Sequence, residues 1–241
     1  MIKREKAITS TISNLLASYA TLAIGLVTGI IITRSLGPEL KGEYTNLKLI
    51  TTLYAPFLTF GYQGGIIYYG LKKQLDLNKF FWTGWLVTAA TGLILTPLFF
   101  PLIRSGYLGN VVENSATYNV ILGLIITPFV LLNLYCERVI RSYHLFRASN
   151  LRLVLGALVT LVYYIISYLF YKVDLSQAMI GLFVGQFVQL ILNLYFVIRH
   201  IKVSWYVGTE NMFKPWDYGI KTWINQIIAK SNDKFDLIIL T

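Results

Sequence analysis

The chain has 241 residues, of which 56% are hydrophobic and 13% charged, against about 45–50% apolar and about 25% charged in ordinary soluble domains, so the composition excludes a water-soluble fold. Its formal charge of +10 lies between apolar runs rather than on one basic face, which excludes a nucleic-acid reader. One cysteine, Cys136, and two histidines, His144 and His200, rule out an internal disulfide and leave no cluster at metal-ligand spacing.

A helix needs roughly 18–20 apolar residues to cross about 30 Å of hydrocarbon. Charge-free windows near or above that length fall at residues 8–33, 49–71, 80–103, 115–135, 153–171 and 175–198. Each is apolar on most faces, whereas transmembrane strands would show short alternating segments. The pattern predicts an all-α integral membrane protein, a polytopic bundle of about six transmembrane helices followed by the start of a seventh. The opening MIKREK and its long apolar continuation read as a retained first helix, since the run is too long for a signal peptide and lacks a small-residue cleavage site.

Lys and Arg near span ends set orientation, because they are retained on the cytoplasmic side. One side carries Lys3, Arg4, Lys6, Lys72, Lys73, Lys79, Arg138, Arg141, Arg147, Arg152, Arg199 and Lys202; the other carries Arg34, Lys41, Arg104 and Lys172. The expected location is the cytoplasmic membrane, multi-pass, with the N-terminus cytoplasmic. Residues 1–198 are expected to form the six-helix lobe and 199–218, with Gly208 and Pro215, a cytoplasmic connector. Residues 219–241 then begin a seventh helix, running through Lys230, Asp233, Lys234 and Asp236 into a five-residue apolar end too short to span. The expectation is a longer protein cut inside that helix, the alternative being an interfacial helix.

Between the first two windows lies RSLGPELKGEY, residues 34–44. Gly37 and Pro38 are expected to end the first helix, and Gly42 to permit a tight return before the second. Arg34 either snorkels to the interface or, facing the space between helix bundles, offers a planar fork that binds phosphate oxygens bidentately. Lys48, about one turn inside the second span, is the other candidate cation: it too either snorkels or meets a partner or a water-filled cavity, because an idle charge there is costly.

No acid falls inside the six windows; Glu39, Glu43, Glu113 and Asp174 lie in loops. That argues against a membrane-embedded hydrolase or glycosyltransferase, which needs positioned carboxylates or metal ligands, so no catalytic residue and no cofactor is expected. Gly25 and Gly29 form a small-residue pair read as packing, and Pro56, Pro97, Pro101 and Pro128 lie where they can kink spans. Gln186, Gln189 and Asn193 share one face of the sixth window, either lining a cavity or pairing with neighbouring helices.

Arg34, Leu36, Gly37, Pro38, Gly42 and Tyr44 match a pattern of arginine, one residue, Leu-Gly-Pro, a short polar stretch and Gly-x-Tyr. In this the chain resembles the oligosaccharide flippase family of the multidrug/oligosaccharidyl-lipid/polysaccharide exporter superfamily. Residues 218–240, with Asp236 ahead of Leu237 to Leu240, resemble the opening of that family's seventh helix. Members usually have twelve or more helices, so the resemblance covers about the first half of one. It implies movement of a polyprenyl-pyrophosphate-linked oligosaccharide to the outer leaflet by alternating access, with Arg34 and Lys48 contacting the anionic head. The implied partners are that lipid-linked oligosaccharide, membrane lipids, a C-terminal lobe absent from this chain and a polysaccharide polymerase, with no nucleic acid. An acid expected in the first helix of proton-coupled drug exporters is missing, which counts against that alternative. A non-transporting structural membrane protein is the third reading.

Overall fold

The computed structural model describes residues 2–72, 74–104, 117–171, 173–207 and 212–239. Lys73, Glu113, Lys172 and Gly208 lie outside the described residues, as do the side chains of Lys3, Arg4, Lys6, Pro56, Arg104, Lys230, Asp233, Lys234 and Asp236. Among the described residues every regular element is a helix: α1 (Ile2–Leu58), α2 (Tyr62–Leu71), α3 (Leu77–Arg104), α4 (Thr117–Ser142), α5 (Phe146–Phe170), α6 (Leu175–His200) and α7 (Lys214–Ile239). The all-α bundle expected from composition is present, and among the described residues five stretches are long and apolar enough to cross a membrane, making this a multi-pass membrane protein.

At about 1.5 Å per residue, the 57 residues of α1 would make a straight rod of about 85 Å, far beyond any bilayer. The rod is broken at Gly37, whose φ of 73° and ψ of 177° are not helical and belong to a region that only glycine occupies readily. Helical geometry resumes at Pro38, a residue suited to a first turn because its missing N–H has no partner there in any case. The expected break at Gly37 and Pro38 is therefore present, but the expected return at Gly42 is not. Gly42 sits inside the resumed helix with open space where a side chain would be.

The second window, 49–71, also differs from expectation. Its helix starts some ten residues earlier, ends at Leu58 and is interrupted before α2 by left-handed residues, Phe60 (φ 43°) and Gly61 (φ 74°). Apolar periodicity is blind to such a break, because Phe60 and Gly61 interrupt the hydrogen-bond ladder without introducing polarity. Gly25 and Gly29, expected to pack, likewise have no described atom within 4 Å of where a Cβ would stand.

The bundle is arranged around α4. Two-thirds (67%) of its span is buried, against 11% for α1 and 17% for α5, and it touches α1, α2, α3, α5 and α6. Apolar side chains of α4 such as Leu132, Tyr135 and Val139 meet Phe81 and Val87 of α3 and Leu190 and Val197 of α6 in one cluster. A second cluster joins Val120 and Ile126 to Leu36, Tyr44 and Leu47 of α1 and Met179 of α6. One end of the bundle gathers the close of α2 and α4, the start of α3 and the segment after α6. There Tyr143 Oη donates to Asn78 Oδ1 at 2.6 Å, its hydroxyl held above the ordinary value by burial and, second, by Asp76. Ser204 N donates to Asn78 O at 2.9 Å.

The connector is shorter than expected, because α6 runs to His200 and α7 begins at Lys214. Helix α7 packs on α2 through backbone contact. A Cβ added to Gly61 would lie 2.0 Å from Gly219 O, and one added to Gly65 would lie 1.8 Å from Pro215 O. Rings close the same seam: Tyr68 stacks on Tyr218 at 3.7 Å and Tyr62 meets Trp216 at 4.6 Å.

These glycines give a paired expectation. Gly37→Ala should lower stability by about 1–3 kcal/mol through backbone strain alone, whereas Gly42→Ala should be neutral or stabilising by up to about 1 kcal/mol because it is helical and unobstructed. Thermal unfolding of the detergent-solubilised chain measures both; the reverse order would contradict the break at Gly37.

Candidate functional site

Arg34 and Lys48 stand on opposite sides of the Gly37 break, both exposed on the surface of the described chain. Arg34 occupies the last turn before the break. Lys48 comes ten residues after Pro38, or about three helical turns into the resumed helix at 3.6 residues per turn. Within the resumed helix Lys48 aligns with Lys41, seven residues earlier and on the same face.

That segment is sorted by charge. At about 100° per residue, Glu39 and Glu43 fall on the face opposite Lys41 and Lys48. The cationic face is held in place by Tyr44, buried between them in sequence, whose Oη lies 3.4 Å from Tyr164 Oη of α5. Tyr164 in turn donates to Ala178 O of α6 at 2.6 Å. The Lys41 ammonium lies 5.0 Å from the centre of the Tyr44 ring, a cation–π arrangement that favours a fixed position for the charge. Sequence reasoning placed Lys41 in an external loop and so missed it; the available signal was the seven-residue spacing.

A second polar group is buried in the bundle. Asn133 of α4 donates to Gln186 O and Oε1 of α6 at 2.8 and 2.9 Å, and accepts from Asn193 Nδ2 at 2.8 Å. Gln189 lies against Gly156 of α5, where a Cβ would be 2.4 Å from its Cγ. Of the two readings of these amides, pairing between helices is the one present. One turn beyond Asn133, Glu137 reaches Arg152 of α5 at 3.2 Å and Arg141 at 2.5 Å. Arg152 is 1% exposed, and its Nε and the Ser149 hydroxyl have no hydrogen-bond partner in the described structure.

Glu137 corrects the expectation that no acid lies within a span. Helix α4 continues to Ser142, past the window's end at residue 135. Arg152, expected to be a loop cation, likewise sits in α5. A charge-free window misses both because it ends where the first charge appears, whereas a helix can continue if the charge finds a partner. Among the described residues no group of three or more His, Cys, Asp and Glu could hold a metal, and Cys136 is buried and free.

The same fold occurs in transporters of known structure. The chain superposes on an outward-facing multidrug resistance MATE family transporter of the MOP superfamily with a TM-score of 0.69 at 20% identity, over 92% of this chain and 52% of that one. A MOP superfamily transporter from Pyrococcus furiosus Vc1 (DSM3638) gives 0.66 at 19% identity over the same shares. The chain thus spans about half the length of these structures. No family model and no curated protein matches it. At such identities the likeness establishes the fold.

Breaking the buried ion pair should separate its partners. Glu137→Gln leaves the Arg152 guanidinium buried without a counter-charge and should cost about 3–5 kcal/mol. Adding Arg152→Met should recover a large part of the loss. A double-mutant cycle on unfolding midpoints measures this, and strictly additive effects would show that the pair is not coupled.

Proposed function

We propose that this chain forms one lobe of a transporter that flips a polyprenyl-pyrophosphate-linked oligosaccharide across the cytoplasmic membrane. The observation that carries this reading is the cationic face of α1 after Gly37, with Lys41 and Lys48 on one side and the acids on the other. A membrane-spanning helix bears charge at a cost that function usually explains, and cations facing a cavity suit a diphosphate. Arg34, just before the break, adds a bidentate fork for phosphate oxygens.

The motif resemblance at residues 34–44 and the transporter fold support the same reading. In the proposed cycle a second lobe completes the cavity, and the two rock about an axis along the membrane normal. Helix α7 leads towards that lobe while remaining packed on α2 at Gly61 and Gly65, which would pass motion between them. Binding, orientation and alternating exposure are the chemistry; no covalent step is required.

A small-molecule exporter is the second reading, favoured by likeness to a multidrug resistance transporter. A cationic face opposes cationic drugs. The Pyrococcus furiosus structure is described in terms of reversed binding-pocket polarity and a different function, consistent with one fold serving several substrates through the charge of its site.

Transport of lipid-linked oligosaccharide by the chain joined to a second lobe should fall partly with Arg34→Lys and further with Arg34→Ala. It should survive Lys48→Arg but not Lys48→Gln. Parental rates for both Arg34→Ala and Lys48→Gln at equal abundance would make the cations interfacial anchors. For orientation, cysteines introduced at Lys72 and Arg141 should be shielded from an impermeant label in sealed cells, and those at Lys41 and Arg104 reached by it.

A further inference from the structure

Helix α3 has 28 residues, about 42 Å at 1.5 Å per residue, which matches a bilayer together with both headgroup layers, about 40–45 Å. Its sixth residue, Trp82, therefore stands about 7.5 Å along the axis from the start of the helix, where headgroups give way to hydrocarbon. Trp85 follows one turn deeper, with 6.1 Å between the ring centres. Tryptophan suits this level because its body is apolar and its N–H is polar.

The segment after α6 is tied to the same level. Ile201 is buried against the bundle, and Ser204 N donates to Asn78 O at 2.9 Å. Trp205 then stacks on Trp82, with ring centres 4.7 Å apart and planes 16° apart. Three large apolar residues in a row are open here: Trp205 is 81% exposed, Tyr206 49% and Val207 59%. In water they would forfeit about 25 cal/mol for each Å² of apolar surface. At the depth set by Trp82 their solvent is the headgroup layer instead. The charges around them have one sign: Arg199, Lys202 and, from the first turn of α3, Lys79 are exposed, and no acid occurs among residues 199–207. Asp76, ahead of α3, uses its Oδ1 to accept from Asn78 N at 3.1 Å.

We propose that residues 201–207 form a strap that lies in the headgroup layer of the leaflet where α6 ends and binds anionic phospholipid there. The rings of Trp205 and Tyr206 enter beside the upper acyl chains, and Lys202, Arg199 and Lys79 meet the phosphates. Rings and cations on one short segment are the composition of an interfacial anchor, and each cation near an anionic surface adds attraction that a zwitterionic surface does not. The inference stands apart from the identity of any transported substrate.

The test places a nitroxide by Val207→Cys in nanodiscs of mixed phosphatidylglycerol and phosphatidylcholine; Cys136 is buried and escapes the label. Two collision partners report the surroundings: oxygen, which concentrates in lipid, and a nickel chelate, which stays in water. High oxygen and low chelate accessibility is expected. Leu93→Cys, exposed on α3, supplies the reference for a label in hydrocarbon and verifies that the chain is inserted. Lys202→Gln should raise chelate accessibility at Val207→Cys by up to about five-fold, and discs of phosphatidylcholine alone should raise it at least as much. Trp205→Ala, which removes the stack on Trp82, should raise it in either lipid. Free access of both partners would put the strap in water, and exclusion of both would show that protein covers it; either result overturns the proposal. A lipid-like signal that ignores Lys202→Gln and the loss of phosphatidylglycerol would overturn the preference for anionic lipid.

Discussion

Asn133 is the knot that the bundle is tied around. In hydrocarbon a polar group has no water to turn to, so its bonds must be found within the protein. The side chain of Asn133 meets this by binding Gln186 twice and accepting from Asn193, which fixes both the rotation and the height of α6 against α4. Apolar contacts alone would do this poorly, because lipid tails compete for them almost as well as another helix does. One turn on, Glu137 extends the same logic to α5 through Arg152. Three helices are thus set in register by polar contacts along one side of α4.

The rest of the bundle hangs on that post through contacts that small residues permit. Gly84 admits the Tyr135 ring, whose hydroxyl donates to Phe81 O at 2.7 Å. Gly181 and Gly185 receive Tyr164 and Thr160 of α5. At Gly84 and Gly181 the close approach lets a tyrosine hydroxyl reach a carbonyl of the neighbouring helix, so small residues and hydrogen bonds work together there. The outer faces of α1 and α5 are held differently. Leu16, Tyr19 and Leu22 on α1 and Leu169 and Phe170 on α5 remain exposed, as expected of surfaces solvated by lipid.

Two glycine breaks turn this scaffold into something that can carry a site. Gly37 ends one helical run and lets Pro38 start another, and this places Lys41 and Lys48 along a single face. Gly61 ends that run and begins α2, whose near side is bare enough for the backbone of α7 to press against it. The polar cluster on α4 fixes helix geometry, whereas the face of α1 that carries Lys41 and Lys48 leaves Lys48 exposed.

Sequence alone determined the solvent of this protein and most of its helices. Composition demanded a bilayer, and five of the six apolar windows became continuous helices, although α4 ends and α5 begins seven residues beyond its window's limit. The break at Gly37 was equally legible, since a Gly-Pro pair acts through local backbone sterics. What sequence could not decide was anything that depended on a partner. Glu137 and Arg152 ended their windows as charges, and only proximity between α4 and α5 let both lie within helices. The break at Gly61 carries no change in polarity, and the seam with α7 needs Gly219 from far along the chain. Lys48 was identifiable as a costly charge, but its depth depended on where its helix began. Local preferences are written in neighbouring residues, whereas burial and pairing exist only once distant helices meet.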